Sequence, residues 1–201
     1  MMDRKEISVS VSSLTKSHKS EGKFEKEIVP KVARFFSDKG YDVKEHVSLN
    51  VAWGQALYEV DVVAIKDEEI TLVEVKSKRD KISRAYDQIE RLRSIIDYCF
   101  VASDASIRDS HFDGDIGILL VNNEVKIMRN ARRVNVPITK GFLVKLKKKC
   151  LDRLYNRNGL QKRVKKESLA GLILGKADAD KLRREVRKTV FCSQKCDECP
   201  L

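Results

Sequence analysis

Two runs rich in β-branched residues, Leu57–Lys66 and Ile70–Lys76, are separated only by Asp67-Glu68-Glu69. Runs of that length with so short an acidic break predict a β-hairpin. Strand side chains alternate faces, so Glu59 and Asp61 share one face, and Glu74 and Lys76 share one face. The positions between them are almost all Val, Leu or Ile, which predicts buried strands rather than an edge. Burying carboxylates and a lysine in such strands is costly unless something pairs them. That requirement constrains this chain more than any other feature.

The rest of the chain supplies the layers that would bury the hairpin. Phe24, Ile28, Val32, Phe35 and Phe36 recur at helical spacing, and Gly40 is placed to end that helix. Val43, Val47, Leu49 and Val51 alternate in a strand pattern. Ser83–Tyr98 reads as a helix carrying Ile89, Leu92, Ile95 and Ile96 on one side. Cys99–Ala102, Ile116–Val121 and Val125–Met128 read as strands, the last two joined by a tight turn at Asn122-Asn123. Helix, three strands, helix and further strands make an α/β layer with a mixed sheet flanked by helices. Beyond a linker at Ala131–Pro137 the pattern turns all-helical, with helices expected near 139–155, 160–174 and 178–190.

Charge divides the chain at the same point. Residues 1–135 carry 23 Lys/Arg and 23 Asp/Glu, whereas residues 136–201 carry 18 against 7, so the whole net charge of +11 lies in the last third. The expectation is two units: residues 1–135 as the sheet domain, and residues 136–201 as a small basic helical domain. Concentrated positive charge binds polyanions through counterion release, and DNA is the expected partner. The alternative is a solubilising basic surface. Two dense clusters carry the nucleic-acid reading, Lys147, Lys148 and Lys149 in one and Lys162, Arg163, Lys165 and Lys166 in the other. The start of the chain is charged, and no apolar run approaches bilayer length. A cytoplasmic protein with no membrane partner is expected.

Within the hairpin, a divalent cation would offset the buried carboxylates economically. Asp61 and Glu74 offer the oxygen ligands that Mg²⁺ prefers, and Lys76 stands where it would assist chemistry at a bound phosphate. A surface hairpin with charges paired across its strands is the competing reading.

Several residues together carry a resemblance. Phe24-Glu25-Lys26-Glu27-Ile28-Val29 opens the first helix, and Gly40-Tyr41 follows it. Asp61-Val62-Val63-Ala64 lies in one strand and Glu74-Val75-Lys76-Ser77-Lys78 in the next. This arrangement resembles the PD-(D/E)xK nuclease superfamily, most closely its Mrr-type and archaeal Holliday-junction-resolvase branches, over about residues 22–103. Val60 stands where the signature has proline, and Ala52–Tyr58 lacks the basic residues that junction resolvases often carry. The resemblance implies a restriction-endonuclease-like core and a DNA endonuclease dependent on Mg²⁺ or Mn²⁺. It implies that Glu25 joins Asp61 and Glu74 as a metal ligand, with Glu27 the fallback, and that Lys76 and Gln88 complete the catalytic set. It also implies a homodimer, since such enzymes often pair to cut two strands. A non-catalytic DNA-binding protein on the same fold and a nuclease acting on RNA are the alternatives.

Two features of the basic segment complete the reading. Leu169–Leu182 loosely resembles a helix-hairpin-helix module, whose glycines, Gly171 and Gly175, would open a turn with backbone N–H groups toward phosphate. Cys192, Cys196 and Cys199 crowd the C-terminus and could bind Zn²⁺ or an iron–sulfur cluster, though both normally take a fourth ligand. Free thiols or a disulfide are the alternatives there.

Overall fold

A computed structural model describes residues 25–53, 56–78, 80–107, 112–155, 165–176 and 178–191. Six strands form one sheet in sequence order: β1 (Asp42–Trp53), β2 (Ala56–Lys66), β3 (Glu69–Lys76), β4 (Tyr98–Ser103), β5 (Gly117–Val121) and β6 (Val125–Arg129). β3, β4 and β5 run parallel, and the remaining neighbours pair antiparallel, so the sheet is mixed. The fold is α/β, with helices on both faces of the sheet. Helix α1 (Glu25–Ser37) packs Ile28, Val29, Val32 and Phe36 against Val62, Ala64, Val73 and Val75 on one face. Helix α2 (Ser83–Glu90) joins β3 to β4 and packs Ala85 and Ile89 against Val63, Ile65, Ile70 and Leu72 on the other. No helix among the described residues is long and apolar enough to cross a membrane.

The hairpin forms where the β-branched runs predict it. Lys66 pairs with Glu69, leaving Asp67 (φ 50°) and Glu68 (φ 63°) as a two-residue loop. Positive φ at both positions is what a tight hairpin turn of matching twist needs. Gly40 (φ 79°) ends α1 in the left-handed conformation expected of it.

The basic segment folds as α3 (Lys140–Leu143), α4 (Lys148–Tyr155), α5 (Lys166–Lys176) and α6 (Ala179–Val190). These helices do not bury their apolar faces only among themselves. Phe142, Leu143, Leu146, Leu151, Leu169, Ile173, Leu182, Val186 and Val190 belong to the same buried cluster as Val47, Leu49, Leu92, Ile95 and Ile96. The boundary expected at residue 135 therefore runs through one continuous core among the described residues. Gly171 and Gly175 lie inside α5 and open no turn. The α5–α6 junction comes later, where the Asp178 carboxylate accepts from Lys181 N (2.9 Å) and caps α6. The helix-hairpin-helix expectation is corrected accordingly: α5 keeps its glycines helical because Leu169, Ala170 and Ile173 around them are buried.

Two other expected helices are broken by tertiary contacts. The helix expected over 83–98 stops at Glu90. The chain continues in tighter turns, Leu92 N to Ile89 O and Ile95 N to Leu92 O, both 2.9 Å. Arginines of α6 take the carbonyls freed there: Arg187 Nε donates to Ile95 O (2.8 Å) and Arg183 to Ile96 O. The helix expected over 139–155 splits at Leu146, which bridges to Val51 of β1, while Lys166 Nζ donates to Leu146 O at 2.6 Å.

Asp97 anchors this packing. It is 2% exposed, lies 2.8 Å from Arg187 and 3.8 Å from Arg183, and accepts from Ile70 N at 2.8 Å. Burial and the adjacent Arg187 charge pull the Arg183 guanidinium below its ordinary range, against the pull of Asp97. Removing one partner of a buried ion pair costs roughly 3–5 kcal/mol, because the other charge stays buried. Asp97→Ala is expected to lower the melting temperature by about 10 °C at roughly 2–4 °C per kcal/mol. A melting curve displaced by only a degree or two would mean that α6 is held by apolar packing alone.

Candidate active site

The site is built where β2 leaves β3. The β2–β3 register begins at Val62↔Val73, and the next residue of β2 is Asp61. Its carboxylate accepts from Val75 N at 2.8 Å, so a side chain takes over where strand pairing stops. The same point is a bend. Val62 and Ala64 bury on the α1 face, whereas Tyr58 and Val60, of the same parity, bury on the other. Glu45↔Val62 and Val47↔Val60 leave His46 opposite Asp61, and His46 has φ 50°. The bend carries the far part of the β1–β2 hairpin to the C-terminal helices, where Asn50 Nδ2 donates to Thr189 O at 3.2 Å.

Glu74 and Lys76 occupy the end of β3. Asp61, Glu74 and Lys76 are 4%, 1% and 7% exposed, so the hairpin is not a surface hairpin with solvated charges. Lys76 Nζ donates to Glu74 Oε1 at 2.5 Å. The chain then turns back at Ser77, whose amide (2.8 Å) and hydroxyl (2.7 Å) both donate to Asp80 Oδ2. Burial alone would raise Asp80, but these hydrogen bonds and the charges of Lys76 and Arg84 outweigh it and hold the carboxyl below the usual carboxylate range.

Tyr58 and Arg91 enter a site whose sequence reading did not include them. Burial first, then the Glu74 charge, pushes the Tyr58 hydroxyl far above the usual range. Arg91 opposes this and Asp61 adds to it. One hydroxyl therefore feels the charges of both carboxylates and of Arg91. Gln88 is half-buried on α2 and influences the Tyr58 hydroxyl. The signal available beforehand was weak: Arg91 lies one helical turn after Gln88, and Tyr58 lies three residues before Asp61 in the same strand.

Glu25 opens α1, but its side chain lies outside the described set, as does that of Trp53; Glu27 is exposed. Among the described residues, no three His, Cys, Asp or Glu side chains come together to hold a metal. Asp61 and Glu74 remain two buried hard oxygen donors where β2 leaves β3, with a formal charge of −1 once Lys76 is included. That donor set fits Mg²⁺ or Mn²⁺ better than a softer metal. Cys192, Cys196 and Cys199 lie outside the described residues, as do Lys162 and Arg163.

The remaining cations of the two clusters divide by role. Lys147, Lys149 and Lys165 are exposed. Lys148 pairs with Asp152 at 2.5 Å, and Lys166 is bound to the carbonyl of Leu146. Lys166 thus holds the α3–α4 break in place.

Two solved structures are similar over most of their own length. One is the SPO1766 protein of unknown function from Silicibacter pomeroyi, with 20% identity, 69% of this chain and 96% of that chain covered, and a TM-score of 0.43. The other is the protein of unknown function AF1548, with 16% identity, 80% and 94% covered, and a TM-score of 0.38. No curated protein matches. The model of the family described as "Bacteriophage P4 protein cII" matches residues 23–194, the whole sheet and all four C-terminal helices included, and the chain belongs to that family.

Proposed function

We propose that the chain is a metal-dependent DNA endonuclease, acting in the cytoplasm and pairing as a homodimer to cut two strands. The observation that carries this reading is the burial of Asp61, Glu74 and Lys76 at the point where β2 and β3 diverge. Two carboxylates and a lysine have no packing advantage there over three apolar side chains, since a buried ion pair is often no better than well-packed hydrophobes. Their retention is understandable if the site handles a phosphate. Asp61 and Glu74, with Glu25 as third candidate, would hold Mg²⁺ or Mn²⁺. When bound, that ion would supply Lewis-acid polarisation of the phosphate and an acidified water. Glu74 orients Lys76, whose ammonium supplies positive charge to the phosphate oxygens as negative charge builds on them. Val75 N orients Asp61. The test is cleavage of labelled duplex, single-stranded, flap and four-way DNAs, and of RNA, by the full chain with and without Mg²⁺. Magnesium-dependent cleavage of a DNA supports the reading, and no cleavage of any DNA sinks it.

The exposed cations Lys147, Lys149 and Lys165 favour a DNA-binding role that stands whether or not the hairpin site is catalytic. Each phosphate contact contributes about 0.9 to the slope of log K against log salt. Reversing these three lysines to glutamate is expected to flatten the slope by about 2–3 and to weaken all sequences alike. Lys166→Glu should instead lower the melting temperature, because this lysine binds backbone carbonyls. An unchanged slope in the triple variant would assign these lysines to solubility.

A further inference from the structure

We infer that the cavity between the segment 135–138 and the α5–α6 junction binds a small apolar carboxylate, held at Arg183. The proposal is independent of the nuclease reading. The cavity measures about 310 Å³, at the small end of ligand sites, which run to roughly 1,000 Å³. Val136, Pro137, Ile138, Leu174 and Leu182 give it apolar walls. Arg183 is the cation in its lining, and the Arg183 side chain is only 17% exposed. Its Nη2 donates to the carbonyls of Ile96 and Val134, and its Nε is buried without an acceptor. Among the described residues nothing accepts from Nη1, which is left to a ligand. Local charge favours an anion there. Arg133, Arg183 and Arg187 converge on Asp97 at 3.7, 3.8 and 2.8 Å, and only Arg133 has a second carboxylate, Glu69 at 3.5 Å. Three cations thus meet two carboxylates. Burial and the Arg187 charge also disfavour the charged guanidinium, and a bound carboxylate would offset both. Asp180 lines the mouth but is exposed, and it forms no ion pair with Arg183 among the described residues, so water screens it. Apolar walls with one convergent donor select an acid with an apolar body over a bare inorganic anion.

The experiment titrates octanoate, octanol and octylamine into the full-length chain by calorimetry, with melting curves beside it. Octanoate should bind with a Kd on the order of 0.1–1 mM, suited to so small a ligand, and should raise the melting temperature. Octanol and octylamine should bind at least about tenfold more weakly, since neither gives Arg183 a charged acceptor. Two variants place the ligand. Ala179 is exposed and lines the cavity, so Ala179→Trp fills it and leaves the Arg183 hydrogen bonds in place. This variant should lose octanoate binding at an unchanged melting temperature. Arg183→Gln should weaken octanoate about tenfold and leave octanol as it was. Octanoate binding no tighter than octanol or octylamine overturns the inference. So does an unchanged octanoate Kd in Ala179→Trp, which would put the ligand elsewhere, and so does an equal loss of octanoate and octanol in Arg183→Gln. Should Arg183→Gln fail to fold because it strips Asp97 of a partner, the three ligands and Ala179→Trp decide the matter alone.

Discussion

Glu74→Gln and Lys76→Ala are each expected to lower DNA cleavage by about 10²–10³-fold, the range seen when one preorganised electrostatic group is removed from a transition state. Overall DNA affinity should change little, because the exposed cations of α4 and the segment before α5 are remote in sequence from this pair. The same residues make a second, opposite prediction about stability. Lys76→Ala leaves Glu74, 1% exposed, without the ammonium 2.5 Å away, and should cost roughly 3–5 kcal/mol. The double variant Glu74→Leu with Lys76→Met removes both charges and keeps the volume. It should be as stable as wild type or more stable by about 1–4 kcal/mol, while cleaving nothing. Urea titrations beside cleavage assays read both quantities. A double variant that is much less stable than wild type would show that the pair serves the fold, and the site would lose its main claim to chemistry.

A chain ending at residue 136 is expected not to fold. The sheet face opposite α1 would lose Phe142, Leu143, Leu146, Leu151, Leu182, Val186 and Val190 from its core. Each fully buried side chain of this kind contributes about 1.5–3 kcal/mol, so a handful equals the 5–15 kcal/mol stability of a whole domain. Asp97 would be left with Arg133 as its cationic partner, the two α6 arginines being gone. The truncated chain should therefore accumulate as insoluble protein or lack a cooperative thermal transition. A soluble fragment with a sharp transition near that of the full chain would show that the sheet keeps a sufficient core of its own. The same coupling makes the C-terminal segment unsuitable for study as an isolated DNA-binding unit. Charge-reversal variants of the intact chain are the sounder probe.

The sequence by itself determined the hairpin, the chemistry available on it and the layers around it. The near-continuous apolar, β-branched runs Val62–Ile65 and Thr71–Val75 are a local property, and so is the tolerance of Asp67-Glu68 for a tight turn. The same holds for α1, whose apolar spacing and terminal glycine need no distant partner. Asp61, Glu74 and Lys76 could be brought together on paper because the hairpin is short, and alternation leaves few arrangements. The tertiary structure decided everything that depends on residues far apart in the chain. It ended α2 at Glu90, because Ile95 and Ile96 give their carbonyls to arginines about ninety residues away. It split the helix expected over 139–155, because Leu146 is claimed by β1. It carried Tyr58 to the face opposite α1 through a bend at His46 and Asp61 that no propensity foretells. It also joined a neutral segment and a basic one into one core. Net charge describes solvated surfaces, whereas the buried Leu, Ile and Val positions that fuse the segments are silent in a charge count. Helical periodicity shows that a face is apolar; only the folded chain shows what that face is pressed against.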